Sequence, residues 1–251
     1  MRRDLSSLLD SWPFTPGSVN ARRLKGRDGQ PKLQLRVDLG VLQMNAVGRP
    51  DGKQPLGHPT WVDALKDRLE TRMQPVRDGF PLLTNDECLK LHQEAIQYHH
   101  RAIAFFHLKD MAPAAADCSH NLALCDFLHD HAPSREVAWP SLQLEPQHIL
   151  LRAKSRAALL QPDQLPELLQ VLDDAVGLFD RMFQRIGRPE WAEFSPELLF
   201  IKGWRAQAEA HRPVSEIDQL GHQLADAIHR EDYEQAARLR DQIKRLGNGE
   251  P

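Results

Sequence analysis

The chain is poor in the features that would place it quickly. It has 3 cysteines in 251 residues, at Cys88, Cys118 and Cys125, and no Cys-x-x-Cys spacing. A disulfide framework and a zinc ribbon are therefore not indicated. Aromatic residues make up 6% of the sequence, and none sits inside a basic run as a base-stacking platform would require. Neither sign of charge dominates, the net value being −3, so no basic field for nucleic acid is expected. No apolar run reaches membrane-spanning length. The opening stretch MRRDLSSLLDSW has basic residues but no long apolar core, so it does not read as a signal peptide. These absences point to a chain in the cytoplasm without a membrane partner. The glycines between Gly48 and Gly57 fit neither a Walker loop nor a dinucleotide fingerprint, so that stretch reads as a solvated loop.

What is present is helix-forming sequence. Leu, Ala, Gln, Arg and Glu recur at helical spacing over most of the chain past residue 60. The fold class expected is mainly α, with a small N-terminal antiparallel β region, tetratricopeptide-like helical hairpins and a C-terminal two-helix hairpin. Residues 1–80 read as the β-containing region, 84–211 as the helical array and 213–247 as the hairpin.

In the first region a short helix over 4–12 is broken by Trp12-Pro13-Phe14-Thr15-Pro16-Gly17. Strands are expected over Val19–Lys25 and Lys32–Asp38, joined by a turn-rich link containing Asp28-Gly29. Leu33, Leu35 and Val37 alternate with Lys32, Gln34, Arg36 and Asp38, the pattern of a half-buried strand. Leu42, Met44 and Ala46 suggest a third strand, and a helix over Thr60–Met73 is expected to cover the sheet.

Thr84-Asn85-Asp86-Glu87 is a capping box that starts a helix running to about Lys109. Further helices are expected over Pro113–His131, Pro146–Leu160 and Gln164–Ile186, with Ala132–Leu144 as a loop. Ser195-Pro196-Glu197 starts a last long helix to about Ala210. Paired helices and the recurrence of Arg-Ala at 101–102 and 152–153 resemble a degenerate tetratricopeptide array. The spacing exceeds that of a standard repeat.

Candidate chemistry is thin. His92, His99, His100 and His107 share one predicted helix, but two turns of helix separate same-face residues, too far for one metal. Cys118 and Cys125 fall on an apolar stripe and read as core thiols. No catalytic residue, cofactor or metal ligand is assigned. An enzyme site in the N-terminal region, around Asn45, Arg49 and Asp51, is the reading from a different class.

The most informative stretch is Ser215 to Leu246, SEIDQLGHQLADAIHREDYEQAARLRDQIKRL. Ser215 reads as the cap of a first helix, and Ile217, Leu220, Leu224, Ala227 and Ile228 form one stripe. Asp232 caps a second helix whose stripe is Ala236, Leu239, Ile243 and Leu246, with Tyr233 and Ala237 beside it and Gly247 after it. Acid-first pairs are expected at Asp226 with Arg230, Glu234 with Arg238 and Asp241 with Arg245. The short link at Arg230–Glu231 forces the two helices antiparallel.

The pattern A-I-x-x-E-D-Y-E-x-A-A-x-L-R-D-x-I over 227–243 resembles the UVR motif of UvrB and UvrC, also present in some Clp ATPases and McsA-type activators. The resemblance implies a hairpin that pairs with another such hairpin and carries no active site. The residues it assigns to a protein interface are Leu220, Leu224, Ile228, Tyr233, Ala236, Ala237, Leu239, Arg240, Asp241 and Ile243. The partner implied is a UVR-bearing protein (UvrB, UvrC or a Clp-type ATPase) or a second copy of the chain. An adaptor is the function expected, with an accessory role in nucleotide-excision repair as the alternative. The segment RVDLGVLQMNAVGRPDG adds a resemblance to the N-terminal part of uncharacterised bacterial proteins ending in the same motif.

Overall fold

The computed structural model describes residues 4–71, 76–77, 80–212 and 216–247. The chain divides into two compact units, residues 1–206 and 207–251. In the first unit, α1 (Ser6–Asp10) precedes a three-stranded sheet of β1 (Ala21–Lys25), β2 (Pro31–Val37) and β3 (Gly40–Asn45). The strands are antiparallel in the order β1-β2-β3, with Leu33 opposite Arg23 and Met44, and Leu35 opposite Ala21 and Leu42. Gly29 lies at φ +76° in the β1–β2 turn, a conformation in which glycine carries no Cβ penalty. The chain continues through α2 (Trp61–Thr71) and a small ladder of β4 (Val76–Arg77) with β5 (Phe80–Pro81).

The helical part follows as α3 (Asn85–His107), α4 (Met111–His131), α5 (Arg135–Leu142), α6 (Glu145–Ala157), α7 (Leu165–Arg185) and α8 (Pro196–Ala210). The capping box that opens α3 is present: Glu87 N–H donates to Thr84 Oγ1 at 3.3 Å, and Thr84 N–H donates to Glu87 Oε2 at 2.8 Å. Ser195 caps α8, accepting from Leu198 N–H at 3.2 Å. The mainly helical fold with an N-terminal antiparallel sheet and a two-helix C-terminal hairpin is as the sequence indicates.

Three local expectations are corrected. The sheet is not covered by α2. Leu33, Leu35 and Met44 pack on Ala104, Phe105 and Ala114, at the end of α3 and the start of α4. The long β3–α2 connection carries α2 elsewhere, and Val62, Leu65 and Leu69 join Leu91, Ala95, Leu124 and Leu128 in a second core. Strand β2 is not half-buried, because Gln34 and Arg36 are buried too. Arg22 Nε donates to Gln34 Oε1 at 2.8 Å, and Arg36 Nε donates to the Trp12 carbonyl at 2.7 Å, so the polar face is closed by its own hydrogen bonds. The stretch 132–144 is not all loop. It contains α5, which tolerates Pro140 in so short a helix and buries Ala138, Ser141 and Leu142.

The second unit holds α9 (Glu216–His229) and α10 (Tyr233–Gly247). Ser215, the expected cap of α9, lies outside the described residues, as do the side chains of Ile217, Asp218 and Leu246. Helix α10 includes Gly247 rather than stopping before it.

Candidate interaction surface

The turn between α9 and α10 explains why a link of three residues, Arg230 to Asp232, suffices. Glu231 sits at φ +58°, in the left-handed region. Glu231 N–H donates to Ile228 O at 3.0 Å and Asp232 N–H donates to Ala227 O at 2.9 Å. That pair of bonds is a Schellman motif, which satisfies the last carbonyls of α9 and reverses the chain. Asp232 then caps the next helix, its Oδ1 accepting from Gln235 N–H at 3.0 Å. One aspartate closes one helix and opens the next.

Across the turn, Ala227, Ala236 and Leu239 are buried together, with Leu220 and Leu224 packed partly against them. The small side chains at Ala227 and Ala236 let the two backbones approach. Around this narrow seam some of the described apolar side chains stay uncovered. Ile228 is 54% exposed and Tyr233 70% exposed. Ala237 is exposed and Ile243 half-buried. Glu234 accepts from Arg238 at 2.5 Å as expected. Arg230 Nε donates to the Asp226 backbone carbonyl at 3.3 Å, and Asp241 accepts from its neighbour Arg240 at 3.0 Å.

Residues 215–249 match the family described as UvrB/uvrC motif. A UVR motif is found at the C-terminal hairpin. The match leaves the first unit untouched, and no curated protein and no solved structure matches the chain. The UVR hairpin brings the ten residues named from sequence onto one small unit but separates them by role. Ala236 and Leu239 lie in the hairpin's own seam, Leu220 and Leu224 flank it half-covered, Ile243 is half-buried, and Ile228, Tyr233, Ala237, Arg240 and Asp241 are exposed. Among the described residues, no helix is long and apolar enough to cross a membrane.

The first unit holds a buried polar network that sequence reading misses. Glu94 is 0% exposed. Its Oε2 accepts from Trp61 N–H at 2.8 Å, and Arg49 Nε lies 3.2 Å from the same oxygen. His120 Nε2 lies 3.2 Å from Glu94 Oε1, and its ring stacks on Tyr98 at 3.9 Å. Two turns further along α3, Arg101 grips Asp117 through two bonds of 2.8 and 2.7 Å and donates to the carbonyls of Asn45 and Gly48 at 3.0 and 2.6 Å. These contacts pin the β3–α2 connection to α3 and α4. Arg49 also pairs with Asp51 at 3.4 Å, so its charge is already committed inside the fold. The signal in the sequence was charge interrupting an apolar stripe: Glu94 before Ala95, Arg101 before Ala102, Asp117 before Cys118.

The histidines part company. His99 Nδ1 lies 3.2 Å from His148 Nε2, a partner supplied by α6, and Asn121 Nδ2 lies 2.9 Å from the same His148 nitrogen. Burial holds His99 down to about 4 and His148 down to about 3, each further lowered by a neighbouring histidine. Both are neutral at physiological pH. Among the described residues, no group of three or more His, Cys, Asp or Glu is placed to hold a metal ion. The three thiols are buried. Burial pushes Cys88 up to about 11 and Cys118 up to about 12, so neither offers a thiolate at neutral pH.

Proposed function

We propose that the chain is an adaptor that docks, through its UVR hairpin, onto a second UVR hairpin. The observation that carries this reading is the thinness of the hairpin's own core. Among the described side chains, Ala227, Ala236 and Leu239 are the ones buried in that cluster, while Ile228 and Tyr233 stand exposed on the same short unit. Pieces of about this length seldom fold on their own core, and pairing supplies the missing apolar contact. Covering Ile228, Tyr233 and the open sides of Leu220, Leu224 and Ile243 contributes about 2 kcal/mol per well-buried side chain before association costs. Arg240 and Asp241, both exposed, set register across the pair more than they add affinity.

The partner class is a protein bearing its own UVR hairpin, UvrB, UvrC or a Clp-type ATPase, or a second copy of this chain. An accessory role in excision repair follows if the partner is UvrB or UvrC. The helical array of residues 84–211, read as tetratricopeptide-like, then presents a surface to a further partner. Ile228→Glu is the variant of choice, since Ala236→Glu would place a charge inside the hairpin's own seam. Affinity capture from source-organism lysate with the intact chain and with Ile228→Glu, read by mass spectrometry, tests the reading. A UVR-bearing protein held by the first and lost by the second is expected. Identical capture by both baits overturns it.

A further inference from the structure

An open surface hollow of about 490 Å³ lies in the first unit between α3, α6 and the segment before β1, with Ser18, Val19, His107 and Lys109 exposed at its edge. That volume lies within the range of small-molecule sites, about 300–1,000 Å³. Its apolar lining comes from Val19, Ile103, Phe106 and Leu151, and His107 and Lys109 complete it with Ser18. Among the described residues, neither Lys109 nor His107 has an ion-pair partner. The nearest acid in sequence, Asp110, is engaged by Arg23. Ser18 at the rim is satisfied by the Thr15 carbonyl at 2.9 Å and offers no spare donor. A second cavity, beside Leu160, Leu168 and Trp204, differs in that its one lysine, Lys154, already lies 4.4 Å over the Phe200 ring.

Lys109 is held in place by its backbone. It lies at φ +64°, a conformation that costs an L-residue about 1–2 kcal/mol and usually falls to glycine or asparagine at a helix end. Complementing the α3 dipole explains a positive charge there. It does not explain a lysine at that position, because the carbonyls of Ala104, Phe105 and Phe106 are already taken by the N–H groups of Leu108, Asp110 and Lys109. Lys109 is exposed, so its ammonium stands in water at the mouth of the hollow, where a ligand carboxylate can reach it.

We propose that this cavity binds a small carboxylate with an apolar body, the carboxylate meeting Lys109 and the body lying along Ile103, Phe106 and Leu151. The same chemistry is offered by a free medium-chain fatty acid and by the C-terminal residue of a peptide ending in leucine. The site is independent of the UVR hairpin, and its test does not involve hairpin pairing. Isothermal titration of the full chain with octanoate, 1-octanol, and a leucine-terminated peptide as acid and as amide reads it. Octanoate is expected to bind at one site, about tenfold more tightly than octanol, the worth of one charge-assisted hydrogen bond. Lys109→Gly keeps the left-handed backbone and is expected to remove that tenfold advantage without lowering the unfolding midpoint. The acid peptide exceeding octanoate assigns the site to a chain terminus, and the reverse assigns it to a free fatty acid. No saturable binding of octanoate or the acid peptide, or equal affinity in the intact chain and Lys109→Gly, overturns the proposal.

Discussion

Replacing Arg101 by methionine separates two accounts of the buried polar network. In the intact chain, Arg101 makes two bonds to Asp117 and one each to the carbonyls of Asn45 and Gly48, with both charged side chains almost wholly out of water. Burial raises the Asp117 carboxyl above its ordinary value, even against the opposing pull of the Arg101 hydrogen bonds and charge. Taking two charges out of water offsets much of their mutual attraction, so the large cost comes from leaving one partner alone. Arg101→Met strands a carboxylate among Tyr98, Cys118 and the loop carbonyls, a loss of about 3–5 kcal/mol. Two-state urea unfolding of the full chain is one measure, provided that the transitions by different probes coincide. The double variant Arg101→Met with Asp117→Leu should recover part of that loss and lie nearer the intact chain than Arg101→Met alone. Amides after Gly48 should lose hydrogen-exchange protection in both, because the clamp on the β3–α2 connection is gone. A loss below about 1 kcal/mol, the level of a surface ion pair, would refute the reasoning.

Two further effects follow from the geometry. The folded-state values of His99 and His148 are depressed, so the unfolded chain binds more protons once pH falls below the ordinary histidine value of 6.5. Stability should then decline steadily from about pH 6.5 toward pH 4, and His148→Met should flatten that slope in urea midpoints taken across the range; an unchanged slope would reject the assignment. Glu231→Gly removes the left-handed penalty at the hairpin turn and should stabilise the UVR hairpin by up to about 1 kcal/mol, seen as slower amide exchange at Ala227 and Leu239.

What could be read in advance depended on how local the cause was. The Thr84–Glu87 capping box and the Ser195 cap are set by neighbours in sequence, and they appear where expected. The hairpin seam was legible as a stripe, but a stripe does not say which of its residues face the sister helix and which face outward. That choice is made by the Schellman turn, which rotates Ala227 and Ala236 inward and leaves Ile228 and Tyr233 exposed. The sheet's true cover, the closure of β2's polar face by Trp12 and Arg22, and the His99–His148 contact all join residues far apart in the chain. Helix α5 was hidden by Pro140, which reads as a breaker and is accommodated instead.

Docking rests on the exposed side of the UVR hairpin, where Ile228 and Tyr233 stand open. Sedimentation velocity of the full chain, alone and mixed with purified UvrB, UvrC and a UVR-bearing Clp ATPase, addresses it most directly. A discrete complex is expected in at least one of these samples, and it should disappear with Ile228→Glu. A chain that sediments as a monomer in every mixture, or a complex that Ile228→Glu leaves intact, would contradict it.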